Sequence, residues 1–134
     1  MSHSPCLLDT NILLAATIAP ERLPSEVADF FRDSLNEVFF SAASIWEIGV
    51  KRSLNREGID FFPEDIHRLA VETGFTELPV RSEHCYALAR LPWHHRDPFD
   101  RLLVSQAQAL PAYLITSDGI LPRYSELVRL VNLR

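Results

Sequence analysis

CLLDTNILLAAT, residues 6–17, decides how the rest of the chain is read. CLL is a short apolar run that stops on Asp9, the pattern of a fully buried strand, and TNILLAAT continues with helical potential. A strand running straight into a helix opens a β–α unit, and the same order recurs downstream. EVFFS (37–41) reads as a second strand closing on Ser41, followed by the helix AASIWEIGVKRSL (42–54). FTELPV (75–80) is a weaker third strand. YLITSD (113–118) is a fourth, ending in Asp118, and LVRLVNL (127–133) is a last strand at a sheet edge. Helices fill the intervals. LPSEVADFFRDSL (23–35) places Val27, Phe30, Phe31 and Leu35 near one face. PEDIHRLAVETG (63–74) has Pro63 at its start and Gly74 after its end. SEHCYALARL (82–91) and DPFDRLLVSQAQAL (97–110) follow, and a turn-rich link around Gly58 joins 42–54 to 63–74. Strand and helix in alternation predict an α/β fold, a three-layer α/β/α sandwich whose mostly parallel central sheet is covered on both faces.

The length, 134 residues, fits one domain spanning 1–134. The formal net charge of −5 argues against a broad basic surface wrapping duplex nucleic acid, which needs many Lys or Arg at phosphates. Cys6 and Cys85 form no CxxC and no metal-ligand spacing, and Cys6, beside Leu7 and Leu8, reads as a small core residue. MSHSPC lacks the features of a secretory leader, and no apolar run approaches the roughly 20 residues that cross a bilayer. A cytoplasmic, reduced protein is expected.

In a parallel sheet the functional crevice lies beyond the carboxyl ends of the strands. The acids of this chain fall there. Asp9 ends the first strand, Glu47 lies early in the helix after the second, Asp97 and Asp100 open a later helix, and Asp118 ends the fourth strand. Each has an ordinary structural explanation. Asp9 caps the helix starting at Thr10. Ser44-Ile45-Trp46-Glu47 matches a capping box, and Glu47 with Lys51 is an i,i+4 ion pair. Asp97-Pro98 is an N-cap followed by proline at the first helical position, with Asp100 in a first turn that favours carboxylates. Asp118 before Gly119 shapes a turn. Caps do not explain why Asp9, Glu47, Asp100 and Asp118 should share one rim without a matching basic cluster. Carboxylates crowded into a partly dry cleft repel, and a hard divalent cation is the natural counter-charge. Such a site can hydrolyse a phosphodiester with metal-activated water and needs no nucleophilic side chain. None is evident, since the chain has no GxSxG, no Cys–His motif and no P-loop.

At LLDTNILL (7–14), SAASIWEIGVK (41–51), LPWHHRDPFDRLLVSQAQ (91–108) and LITSDGILPRY (114–124) the chain resembles the PIN-domain ribonucleases, in particular the VapC-type toxins of bacterial toxin–antitoxin pairs. The segments occur in family order over most of the chain. The resemblance implies a PIN-like α/β/α sandwich and an endoribonuclease dependent on Mg²⁺, with Mn²⁺ able to substitute. It implies Asp9, Glu47, Asp100 and Asp118 as catalytic metal-site acids, with Asp97 helping through water or only capping. Asn11, Ser44 and Thr116 sit beside these acids, where they could hold them or a water by hydrogen bonds. The resemblance also implies an RNA substrate, a homodimer, and a cognate antitoxin that blocks the site.

Trp93, Arg96 and Arg101 are candidate contacts for RNA or antitoxin, the two arginines alternatively offsetting Asp97 and Asp100. Trp46, between Ile45 and Ile48, reads as core. His94 and His95 read as a solvated loop pair rather than ligands, and His3, His67 and His84 as surface or cap residues. Two other classes compete. A haloacid-dehalogenase-type phosphatase would want DxDxT after the first strand, where Asp9 is followed by Thr10-Asn11; a DNA-directed nuclease or another metal-dependent phosphate-ester hydrolase is the other enzymatic alternative. A non-catalytic interaction module would show no response to divalent metal.

Overall fold

The computed structural model describes residues 4–55 and 58–134, so His3 lies outside the described residues. Among them five strands form one sheet: β1 (Cys6–Leu8), β2 (Val38–Ser41), β3 (Thr76–Leu78), β4 (Tyr113–Thr116) and β5 (Val128–Leu130). Their order is β3-β2-β1-β4-β5 and every pairing is parallel. Among the described residues six α-helices connect and cover them: α1 (Thr10–Ile18), α2 (Ser25–Arg32), α3 (Ala42–Ser53), α4 (Pro63–Thr73), α5 (Ser82–Leu88) and α6 (Pro98–Ala109). All the expected elements are present, most with trimmed ends and α1 one residue longer than expected. The largest trim is at α2, which stops at Arg32. Asp33 there accepts the backbone N–H of Leu35 at 3.0 Å in a local turn, so Leu35 leaves the expected helical face and is exposed.

Alternation of side chains along the strands sorts the core into two halves. Cys6 and Leu8 of β1, Val38 and Phe40 of β2 and Ile115 of β4 face one way, onto Ile12, Phe31, Ile48 and Ile66 from helices α1 to α4. Leu7, Leu114 and Val128 face the other way, onto Leu103, Val104 and Ala107 of α6. Helices therefore lie on both faces of the sheet, the three-layer arrangement expected. β1 is its centre, and Cys6, Leu7 and Leu8 are fully buried. Burial pushes the Cys6 thiol up to about 12, so it is an inert core group. Neither cysteine is in a disulfide. Among the described residues no helix is long and apolar enough to cross a membrane.

The chain leaves β1 towards β2 on one side and reaches β4 on the other only after β3. The reversal puts a crevice between the carboxyl ends of β1 and β4, the place where an open parallel sheet offers a binding site.

Candidate functional site

Asp9 closes β1 at that crevice and is 3% exposed. It caps α1, its Oδ1 accepting the Ile12 N–H at 2.8 Å. Its Oδ2 accepts the Thr116 hydroxyl at 2.5 Å and the Ser117 N–H at 3.4 Å. Burial raises its pKa above the ordinary carboxylate value, against the lowering effect of these hydrogen bonds, and Glu47 adds to the rise. The cap and a place in the cleft are thus one arrangement. Thr116 Oγ1 also accepts the Asp118 N–H at 3.0 Å, tying the ends of β1 and β4 together.

Glu47, 4% exposed, comes from α3. The helix starts one turn earlier than a Ser44 cap requires. Ser41 is its N-cap, accepting the Ala43 N–H at 3.0 Å, so Ser44 and Glu47 lie inside the helix and form no capping box. Their side chains are free to meet Thr10. Thr10 Oγ1 donates to Glu47 Oε1 at 2.7 Å and lies 2.9 Å from Ser44 Oγ. Glu47 Oε2 takes the Lys51 ammonium at 2.5 Å. Thr10, rather than its neighbour Asn11, holds an acid. Asn11 lines the cleft from an exposed position without a hydrogen bond to any of them.

Asp97 caps α6, accepting the N–H groups of Phe99 at 2.8 Å and Asp100 at 3.3 Å. One turn in, Asp100 faces the cleft. Burial, then the nearby Asp97, Asp9 and Glu47 charges, lift its pKa from 3.8 to about 7, with His95 pulling the other way. Asp118 Oδ1 accepts the Ile120 N–H at 2.8 Å, and its Oδ2 lies 2.7 Å from His95 Nε2.

His95 corrects the expectation of a solvated loop residue. Its side chain is 16% exposed, its Nδ1 accepts the Asp97 N–H at 2.9 Å, and its Nε2 is 3.6 Å from Asp100 Oδ2. The local signal was its position two residues before a helix-capping Asp whose N–H the helix leaves free. His94 remains exposed, its ring edge-on to Tyr124 at 5.0 Å. His84 is a cap, but a buried one, accepting the Arg81 N–H at 2.9 Å.

Arg101 is also corrected. It is 3% exposed and donates to the carbonyls of Pro92 (3.0 Å), Leu88 (3.1 Å) and Leu91 (3.5 Å) and to Tyr124 Oη (3.3 Å). It cannot reach a solvent-borne phosphate without abandoning those carbonyls. Its donors are taken by these groups rather than by Asp97 or Asp100, and it braces the loop that carries His95. That loop is fixed from a second side, the His95 N–H donating to Tyr124 Oη at 2.9 Å. Trp93 is 78% exposed, with the Arg101 guanidinium 4.1 Å from its ring centre. Arg96 is exposed. Trp46 is 61% exposed instead of core, because its side of α3 faces Phe99 beside the cleft, ring to ring at 4.8 Å. Gln106, within α6, is fully buried. Its Oε1 accepts the Ser41 hydroxyl at 2.6 Å and its amide donates to Pro79 O at 3.3 Å, holding α6 against the ends of β2 and β3.

The result is a polar cleft of about 240 Å³ lined by five carboxylates (Asp9, Glu47, Asp97, Asp100, Asp118) and one ammonium, Lys51. The donors suit a hard divalent ion, which takes carboxylate oxygens and keeps several waters. Among the described residues, ligand atoms of Asp100, Asp118 and His95 lie within 4.8 Å of one another, close enough to surround one ion. The raised Asp100 pKa reflects the same crowding: burial and then the neighbouring carboxylates disfavour its charged form.

Known proteins share this architecture. A chain in the crystal structure of VapBC2 from Rickettsia felis, bound to a DNA fragment from its promoter, superposes with a TM-score of 0.68 at 16% identity, covering 96% of this chain and 99% of that one. A domain of a functionally unknown protein from Methanocaldococcus jannaschii superposes with a TM-score of 0.61, also at 16% identity, covering 95% and 90%. No curated protein sequence matches the chain. The PIN-domain family profile matches residues 6–127, nearly the whole length, and the chain therefore belongs to the PIN-domain family.

Proposed function

We propose that this chain, acting as a single PIN domain, is a Mg²⁺-dependent endoribonuclease toxin of the VapC type, with Mn²⁺ able to substitute. The observation that carries the reading is the gathering of five carboxylates against one lysine at the carboxyl edge of a parallel sheet. Asp9, Glu47, Asp100 and Asp118 hold the metal in this reading, with Asp97 reaching it through water. A divalent ion bound there supplies an acidified water and neutralises charge on a phosphodiester. The protein's own part is to present oxygens in fixed orientations. Thr116 and the Ile12 N–H fix Asp9, Thr10 and Lys51 fix Glu47, and the α6 cap fixes the turn that carries Asp100. Arg96, exposed at the rim, is available to a phosphate, and Trp93 to a base or to the antitoxin.

In this reading the enzyme is a cytoplasmic homodimer, and a cognate antitoxin blocks the cleft. The likeness to a chain of the Rickettsia felis VapBC2 structure supports that partnership. The test is RNA cleavage by purified protein with Mg²⁺, leaving 5′-phosphate and 3′-hydroxyl ends. Asp9→Asn and Asp100→Asn are expected to abolish it, and chelation to stop the wild type. Undiminished cleavage by either variant removes the mechanism. Hydrolysis of a simple phosphate monoester without cleavage of RNA would instead favour the broader phosphate-ester hydrolase, and no hydrolysis of either the non-catalytic module.

A further inference from the structure

The His95 ring occupies the spot where a metal ligand would be sought, with Nε2 2.7 Å from Asp118 Oδ2 and 3.6 Å from Asp100 Oδ2. The other ring nitrogen decides what Nε2 can do. Nδ1 accepts the Asp97 N–H at 2.9 Å. A ring nitrogen that accepts carries no proton, so the neutral imidazole keeps its one proton on Nε2. Nε2 is then a donor, and Asp118 Oδ2 is its acceptor. To bind a cation through Nε2 the ring would have to become an imidazolate or give up the Asp97 bond. Histidines that ligate metals show the opposite arrangement, in which the second ring nitrogen is an N–H donating to a carboxylate or carbonyl.

The bond to Asp97 is not incidental. Asp97 is the N-cap of α6, so its N–H lies outside the helical ladder and is free for the ring. The backbone of His95 is itself held by Tyr124, and Tyr124 by the buried Arg101. The ring has little freedom to turn its Nε2–H away.

We propose that His95 is a positioning residue and not a ligand: its Nε2–H, locked in that tautomer by the Asp97 backbone, orients Asp118 for a cation held by oxygen alone. The inference rests on the proposed reading of the cleft as a metal site. It adds a selectivity. Asp118 spends one lone pair of Oδ2 on His95 and one of Oδ1 on Ile120, leaving the others for a hard ion. A site without an imidazole donor denies Zn²⁺ and Ni²⁺ the added advantage that imidazole ligation gives them over Mg²⁺ and Mn²⁺.

The test uses the full chain. In ¹⁵N-labelled protein, the His95 proton is expected on Nε2 both before and after Mg²⁺ is added. Pulsed EPR of the Mn²⁺-loaded chain is expected to show no strong imidazole nitrogen coupling. His95→Ala is expected to weaken Mg²⁺ binding about 10- to 100-fold, the range for residues that support a ligand. His95→Gln, whose amide can donate to the same oxygen, is expected to recover most of that loss. Strong imidazole coupling to Mn²⁺, loss of the Nε2 proton on adding Mg²⁺, or equal losses in the two variants would each overturn the proposal while leaving the metal site standing. If Mg²⁺ and Mn²⁺ leave the cleft resonances unmoved, the proposal falls together with the reading of the cleft.

Discussion

Replacing Asp100 by Asn separates what the carboxylate costs the fold from what it gives the site. Its pKa rises from 3.8 to about 7 in the folded chain, chiefly by burial and then by the charges of Asp97, Asp9 and Glu47. At about 1.4 kcal/mol per pH unit, that span sets an upper limit of about 4 kcal/mol on the penalty for ionising it in place. The folded pKa lies above the unfolded one, so the folded state holds the proton more tightly. Stability is therefore fully present below about pH 4 and falls as pH rises through 7. Between about pH 5 and about pH 8, the metal-free wild type is expected to lose roughly 2–3 kcal/mol from this group alone. Asp100→Asn cannot ionise and lacks that loss. The assay is urea denaturation in chelator at the two pH values, comparing the change in unfolding free energy between the proteins. The variant is expected to be as stable as the wild type or less so at the lower pH and clearly more stable at the higher one. Mg²⁺ should reverse the order at the higher pH by stabilising only the wild type, because bound ligand adds to the stability of the state that binds it. Parallel pH profiles in chelator would refute the argument, since Asp100 would then ionise in the fold as easily as in water.

Arg101→Met is expected to cost about 1–3 kcal/mol of stability, because it removes the donors of the part-buried carbonyls of Leu88 and Pro92, and Arg101→Lys should recover only part, lacking the guanidinium fork; chemical denaturation reads both. Lys51→Met leaves Glu47 buried without its cation. Because Lys51 is over a third exposed, a loss of only about 1 kcal/mol is expected without metal, and Mg²⁺ should offset it in a thermal melt. Phe40→Ala, at a fully buried site in β2, is expected to cost about 3–5 kcal/mol, read by chemical denaturation.

The parts of this molecule legible in its sequence are those that short-range rules control. Apolar runs ending in Asp9, Ser41 and Asp118 marked strand ends, and Asp97-Pro98 marked the start of α6. A parallel sheet then obliges such positions to converge, so a list of strand ends becomes a map of one rim. The same logic shows why cap and site were never true alternatives for Asp9. Its two oxygens point different ways, one to the Ile12 N–H inside α1 and the other to Thr116 across the crevice.

What escaped the sequence depends on contacts between segments far apart in it. Arg101 sits between Asp100 and Leu102 in a charged stretch, and nothing local separates a surface arginine from one whose donors are used by carbonyls 9 to 13 residues earlier. Trp46 lies among apolar neighbours, and whether its side of α3 meets the core or Phe99 depends on how α3 sits over the sheet. Ser44 and Glu47 fit a capping box by spacing, but Ser41 had already started the helix. That early start leaves both side chains free to meet Thr10, 34 and 37 residues away in sequence. The supporting groups share one property. Arg101, Tyr124 and Gln106 each join parts of the chain that belong to different elements or loops. The acids are placed by elements, and these residues hold the elements in register. A change at Arg101 should therefore reach the site through the His95 loop without removing a single carboxylate.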